Sequence, residues 1–187
     1  MDIRSIIAPV IQDREALEEF ADVLTDRAPQ VENDVARLKK SPGDREITAD
    51  LFRAIHNIKG DASLCKFDLA VAMAHPIESL MARFRSNEIP FSDMLAELIL
   101  LTIDRLELAT DGLLANKPLE HLKLLPLIQG LERLSTASAE EIDARSYQLI
   151  EEVTGFHPVH GTLSSRAPRV AKPSDEQKNA KPDLQFF

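Results

Sequence analysis

Apolar residues recur at three- and four-residue steps along most of the chain up to about position 156, a spacing that lines one face of a helix. The first such stretch runs from Asp13 to Lys40 with Leu17, Phe20, Val23, Leu24, Val31, Val35 and Leu38 in step. Pro29 falls inside it, and proline suits a first turn and not a helix interior, so the pattern predicts two helices or one kinked near Ala28. Ser41-Pro42-Gly43-Asp44 ends the segment. Thr48 is the expected N-cap of the next helix, with Asp50 in its first turn, where the helix dipole favours negative charge. Leu51, Ile55, Ile58 and Ala62 form its core stripe, and Phe52, His56, Lys59, Gly60 and Ser63 form the stripe beside it.

A third helix is predicted from about Phe67 to Arg85, burying Leu69, Met73, Ile77, Leu80 and Phe84, with a break at Asn87 to Pro90. Ser92 caps a fourth, whose stripe is Leu95, Ile99, Thr102, Leu106, Ala109 and Leu113. Pro118 opens a further helical stretch carrying Leu122, Leu125, Ile128, Leu131 and Leu134, which Pro126 must bend or split. Ser138 and Glu141 match a capping box for a last helix that ends at Gly155 and buries Ile142, Leu149 and Val153. Short connections place successive helices antiparallel. The expected fold is all-α: an up-and-down antiparallel four-helix bundle over 13–117, a helical extension over 118–156, and a flexible tail or linker over 157–187, too rich in Pro, Ser, Lys and Arg to order itself.

Composition agrees with helices: tryptophan is absent, glycine numbers six, and 44% hydrophobic with 28% charged residues is the balance of a globular chain with a core. A net charge of −9 argues against nucleic acid as a partner, since phosphate contacts need clustered Lys and Arg. Cys65 is the only cysteine, which rules out an internal disulfide and a multi-cysteine metal site and fits a reducing cytoplasm. The opening MDIRSIIAPVIQDREALEEF has too short an apolar run for a signal peptide. No segment approaches the roughly 20 apolar residues of a membrane span, so no membrane insertion is expected.

The candidate chemistry lies in AIHNIKGDA, which sets His56, Lys59 and Gly60 at i, i+3 and i+4 on one helix face. A mid-helix glycine costs about 0.8–1.0 kcal/mol relative to alanine, a loss that close approach by a ligand or partner would explain. On the third helix His75 and Glu78 stand at i, i+3 and can face His56 across a helix contact. A carboxylate that accepts from one ring nitrogen fixes the tautomer and leaves the other lone pair free to attack phosphorus, the role expected of Glu78. Lys59 would offer a cation to a phosphoryl oxygen. Phe52, one turn before His56, is a candidate docking anchor with Leu64 and Phe67 near the helix junction, and Gly60 leaves room for a partner.

HNIKGDA, preceded by Ala-Ile, resembles the phosphorylation-site signature of histidine phosphotransfer (HPt) domains, His-x-x-Lys-Gly followed by small residues, and the likeness runs from about Glu15 to Leu114. It is greatest to the N-terminal phosphotransfer domain of the chemotaxis histidine kinase CheA. There a lysine three residues after the phosphorylated histidine, and a histidine and a glutamate 19 and 22 residues after it, support the site. Those offsets land on Lys59, His75 and Glu78. Asp61 and Ser63 stand where the family often has small residues, Lys66-Phe67 replaces a common Gly-Phe pair, and Pro76 directly after His75 predicts a kink at the site.

The resemblance implies a two-component phosphorelay or chemotaxis-like module. His56 accepts a phosphoryl group from a histidine kinase catalytic domain or a response-regulator receiver domain and passes it to a receiver aspartate. Such a module is a phosphocarrier and not an enzyme, and it needs no cofactor or metal. No ATP-binding kinase motif is visible, so a catalytic domain would have to lie in a longer parent chain. Two rivals stand beside this reading: an inactive HPt-like scaffold that binds a receiver without phosphotransfer, and a metal-binding bundle using His56, His75 and Glu78. His121, His157 and His160 show no partner pattern, and Cys65 reads as a small packing residue.

Overall fold

A computed structural model describes residues 13–157. Within them lie six α-helices, a short 3-10 turn and no strand: α1 Arg14–Lys40, α2 Arg45–Leu64, α3 Asp68–Arg85, α4 Asp93–Leu114, the turn Glu120–Leu122, α5 Leu124–Ser135 and α6 Ala139–Thr154. The expected tail, 157–187, lies outside the described residues except for His157.

α1 is one continuous helix, so Pro29 neither divides nor ends it. Phe20, Leu24 and Ala28 before the proline and Val31, Val35 and Leu38 after it are buried on one face, and that shared burial outweighs the one backbone hydrogen bond proline cannot make. Asp13 caps the helix by accepting from the Ala16 amide at 3.1 Å, and Arg37, Lys39 and Lys40 complement the dipole at the far end.

α2 starts earlier than Thr48. Asp44 is its N-cap and accepts from the amides of Glu46 and Ile47 at 2.9 and 3.1 Å. A charged carboxylate there satisfies two otherwise orphaned donors and meets the positive end of the dipole. Thr48 sits one turn inside, donating its hydroxyl to the Asp44 carbonyl at 2.7 Å. Asp50 thereby falls in the second turn, where it pairs with Arg53. The α2–α3 turn closes with the Phe67 amide donating to the Ala62 carbonyl at 2.8 Å, and it places Lys66 at φ 54°.

Pro76 does not break α3 either. It is itself buried between Met73 and Ile77, so packing on both sides holds the helix through it. Ser92 caps α4 as predicted, accepting from the Leu95 amide at 3.1 Å, and also donates to Asp143 of α6 at 2.5 Å. Pro118 lies in the loop, the expected helical stretch is divided at the left-handed Lys123, and Pro126 falls in the first turn of α5, where no amide is needed. The Ser138–Glu141 capping box and the left-handed Gly155, φ 76°, bound α6 as expected.

The four long helices form a bundle in which α2 packs between α1 and α3, and α4 packs on α1. α3 and α4 meet only lightly because α5 lies along α3 while α6 covers α4 and α5. One hydrophobic cluster extends from Leu17 to Val153, so the last two helices share the core of the bundle. Arg83 of α3 donates to the Ser135 carbonyl at the end of α5 at 3.1 Å. The α2–α3 face on the opposite side of α3 stays uncovered by these helices, and that is where the histidine stripe lies.

Candidate functional site

α2 and α3 make the most extensive helix contact of the fold. Their core stripes, Leu51, Ile55, Ile58 and Ala62 against Leu69, Met73, Ile77 and Leu80, are fully buried and fix the register of the polar residues beside them. Glu78 is the centre of that polar group. Its Oε1 lies 2.5 Å from His56 Nδ1, and its Oε2 accepts from the Lys59 ammonium at 2.5 Å. The glutamate side chain is 12% exposed, Lys59 25% and His56 56%, so the carboxylate is sheltered while the imidazole reaches solvent.

Burial alone would raise the Glu78 carboxyl, but the hydrogen bonds and charges of Lys59 and His56 outweigh it and hold the group below the ordinary glutamate range. A carboxylate at Nδ1 favours the tautomer with the proton on Nδ1, which leaves the Nε2 lone pair directed outward. Such a ring can act as a nucleophile toward an electrophile arriving from solvent.

Lys59 is committed to Glu78, so its charge first serves the carboxylate. His75 is exposed, with Nδ1 3.8 Å from Glu78 Oε2, beyond hydrogen-bond range and within that of an ion pair. The structure therefore gathers His56, Lys59, Glu78 and His75 on one face. Among the described residues no group of three or more His, Cys, Asp and Glu is placed to hold a metal ion, and the second oxygen of Glu78 is taken by an ammonium.

The candidate docking residues divide. Leu64 is 81% exposed, and Gly60 faces open space, with nothing within 4 Å of the point where an alanine methyl would stand. Phe52 is partly buried and stacks beside His56, ring centres 6.1 Å apart and planes 18° from parallel. Phe67 does not belong with them: it is 6% exposed and packs edge-on against Phe20 at 5.3 Å. As N-cap of α3 it plugs the junction between α1 and the α2–α3 turn, which takes it away from any partner.

Sequence reasoning missed Arg85, whose guanidinium lies 4.1 Å from the centre of the Phe52 ring. The signal was available, because in an antiparallel pair a residue before His56 meets one after Glu78. Elsewhere, His157 has partners after all, the Tyr147 hydroxyl at 3.2 Å and Glu151 at 3.1 Å. His121 is exposed, and His160 lies outside the described residues. Cys65 is partly buried, and burial together with Glu19, Asp61 and Asp13 pushes its thiol up, away from reactivity.

A family model for the Hpt domain matches residues 15–109. Among curated proteins, the sensor histidine kinase CheAY of Helicobacter pylori is 26% identical over 91 residues, 49% of this chain and 11% of that protein. The chemotaxis protein CheA of Treponema pallidum is 24% identical over 90 residues, 48% of this chain and 11% of that protein. CheA of Rhizobium meliloti is 26% identical over 132 residues, 71% of this chain and 17% of that protein. The chain thus spans a small fraction of the length of the relatives it matches. Among the described residues no helix is long and apolar enough to cross a membrane. With the helical bundle and the matched span together, the chain belongs to the Hpt domain family, the histidine phosphotransfer modules of two-component and chemotaxis signalling.

Proposed function

We propose that His56 is the phosphoacceptor of this domain, taking a phosphoryl group on Nε2 from a histidine kinase catalytic domain and delivering it to the aspartate of a response-regulator receiver. The observation that carries this reading is Glu78, which bonds His56 Nδ1 through one oxygen and Lys59 through the other. In the transfer, the Nε2 lone pair forms the N–P bond as the bond from phosphorus to the donor's leaving oxygen breaks. The imidazole gains positive charge, the Nδ1 proton stays in its hydrogen bond, and the Glu78 carboxylate balances the ring.

Delivery is the reverse. A receiver aspartate oxygen bonds phosphorus, the N–P bond breaks, and the electron pair returns to Nε2. Transfer of this kind rests on positioning and electrostatics, so the domain is a carrier and substrate and not itself an enzyme. Lys59 fixes the second oxygen of Glu78 so that the first stays on the ring, and His75 adds a polar group at the edge of the same carboxylate. Phe52, Gly60 and Leu64 supply the surrounding contact surface. A cytoplasmic location fits the single cysteine and the lack of a membrane-spanning helix in the described residues.

The test is transfer of labelled phosphate from a panel of kinases to the wild-type chain and to His56→Gln. Acid-labile, alkali-stable label that disappears in the variant is the expected result. Absence of label from every donor, with receiver binding retained, would instead establish an inactive scaffold.

A further inference from the structure

A phosphoryl group on His56 brings about two negative charges to a face whose cations are already engaged. Lys59 is held by Glu78 at 2.5 Å and Arg53 is paired with Asp50. Arg85 differs: it is exposed at the end of α3, and among the described residues it has no carboxylate partner, its contact being the face of Phe52. The guanidinium lies 4.1 Å from that ring centre, and the ring centre lies 6.1 Å from the imidazole centre, distances whose sum keeps the charge within about 10 Å of His56.

We propose that Arg85 is the phosphoryl-binding cation of this site: it rests on Phe52 while His56 is free, and turns onto the phosphoryl oxygens once Nε2 is modified. This rests on the reading of His56 as phosphoacceptor. Three physical features support it. A cation–π contact at an exposed position is worth about 0.5–1 kcal/mol, weak enough to exchange for charge-assisted hydrogen bonds to a dianion. A guanidinium presents a planar fork of donors that matches two phosphoryl oxygens at once. Phe52 limits where the side chain can wait, so less freedom is lost when it engages, and the aromatic ring has a role in the site beyond contact with a partner.

The experiment needs no partner protein. Phosphoramidate phosphorylates the full chain directly: Nε2 bonds phosphorus, the P–N bond of the reagent breaks, and ammonia leaves. The ionisation of the attached phosphoryl group is then followed by phosphorus NMR against pH in wild type, Arg85→Gln and Arg85→Lys, with circular dichroism confirming that each is folded. A neighbouring cation favours the dianion, so Arg85→Gln is expected to raise the phosphoryl midpoint by roughly 0.7 pH unit, with Arg85→Lys restoring part of the difference. A purely structural role for Arg85 would not move this midpoint. If wild type carries phosphate on His56 and the midpoint is unchanged in Arg85→Gln, the assignment of Arg85 is overturned and that of His56 stands. If phosphoramidate leaves His56 unmodified, both fall.

Discussion

Replacing Glu78 by glutamine removes one charge, keeps the shape, and separates the electrostatics of the site from its packing. In the native protein Glu78 accepts from both His56 and Lys59 at 2.5 Å, and its side chain is largely buried. In the variant the amide oxygen can still accept from Nδ1–H, but the amide nitrogen then turns a donor toward the Lys59 ammonium. A buried hydrogen bond to a charged group contributes about 1.5–3 kcal/mol. Since both partners reach solvent, we expect a net loss of about 2 kcal/mol at pH 7. Urea denaturation measures it as a lower midpoint with an unchanged slope.

The pH dependence gives the prediction its sign. The folded Glu78 carboxyl lies below its ordinary value, so its contribution is fully present above the ordinary glutamate midpoint of the unfolded chain and is lost as pH falls through the lower folded one. The stability gap between wild type and Glu78→Gln should therefore close in acid. A gap that is absent at pH 7, or that persists undiminished once the wild-type carboxyl is protonated, would refute the view that the charge of Glu78 organises the site.

Two glycines within helices, Gly60 and Gly130, should respond in opposite directions. Gly60→Ala should stabilise the fold by about 0.8–1.0 kcal/mol, because a methyl there meets nothing and helix propensity improves, while transfer slows if a partner needs that space. Gly130→Ala should cost about 1–3 kcal/mol in the same denaturation assay, since its methyl would fall 2.3 Å from Leu149 Cδ1 in the α5–α6 contact. Phe67→Ala should cost about 3–5 kcal/mol, against less than about 0.5 kcal/mol for Leu64→Ala, which separates core from surface at the α2–α3 junction. Asp34, buried with Oδ2 lacking a hydrogen-bond partner, has its carboxyl pushed up by burial. The folded form therefore loses stability as pH rises through that raised midpoint. Asp34→Asn should gain about 1 kcal/mol at pH 7, with the gain vanishing in acid, as read by denaturation at both pH values.

The contrast between Phe67 and Phe52 shows where sequence reasoning reaches its limit. Both are aromatic residues near a helix carrying His56, and periodicity alone gave each a place near the surface patch. One is driven into the core by the left-handed turn at Lys66 and by Phe20 on α1, a partner 47 positions away in the chain. The prolines carry a similar lesson. Pro29 and Pro76 each forfeit a backbone hydrogen bond, and local rules allow a break at either, yet burial on both sides of each keeps α1 and α3 continuous. Thr48 was a reasonable cap on residue type, but Asp44 offers a charge as well as an acceptor and wins the position.

What the sequence determined by itself was the helical period, the order of helices, and the two pairs His56–Lys59 and His75–Glu78, because residue spacing on a helix translates directly into a shared face, while the family resemblance joined the pairs. What only the tertiary structure decided was how charges on two helices pair. Register between α2 and α3 is set by interdigitated core side chains, and it alone gives Lys59 to Glu78, leaves His75 at the margin, and lays Arg85 on Phe52. Packing also brings α5 and α6 onto the far side of α3 and α4, so among the described residues no further helix covers the histidine face.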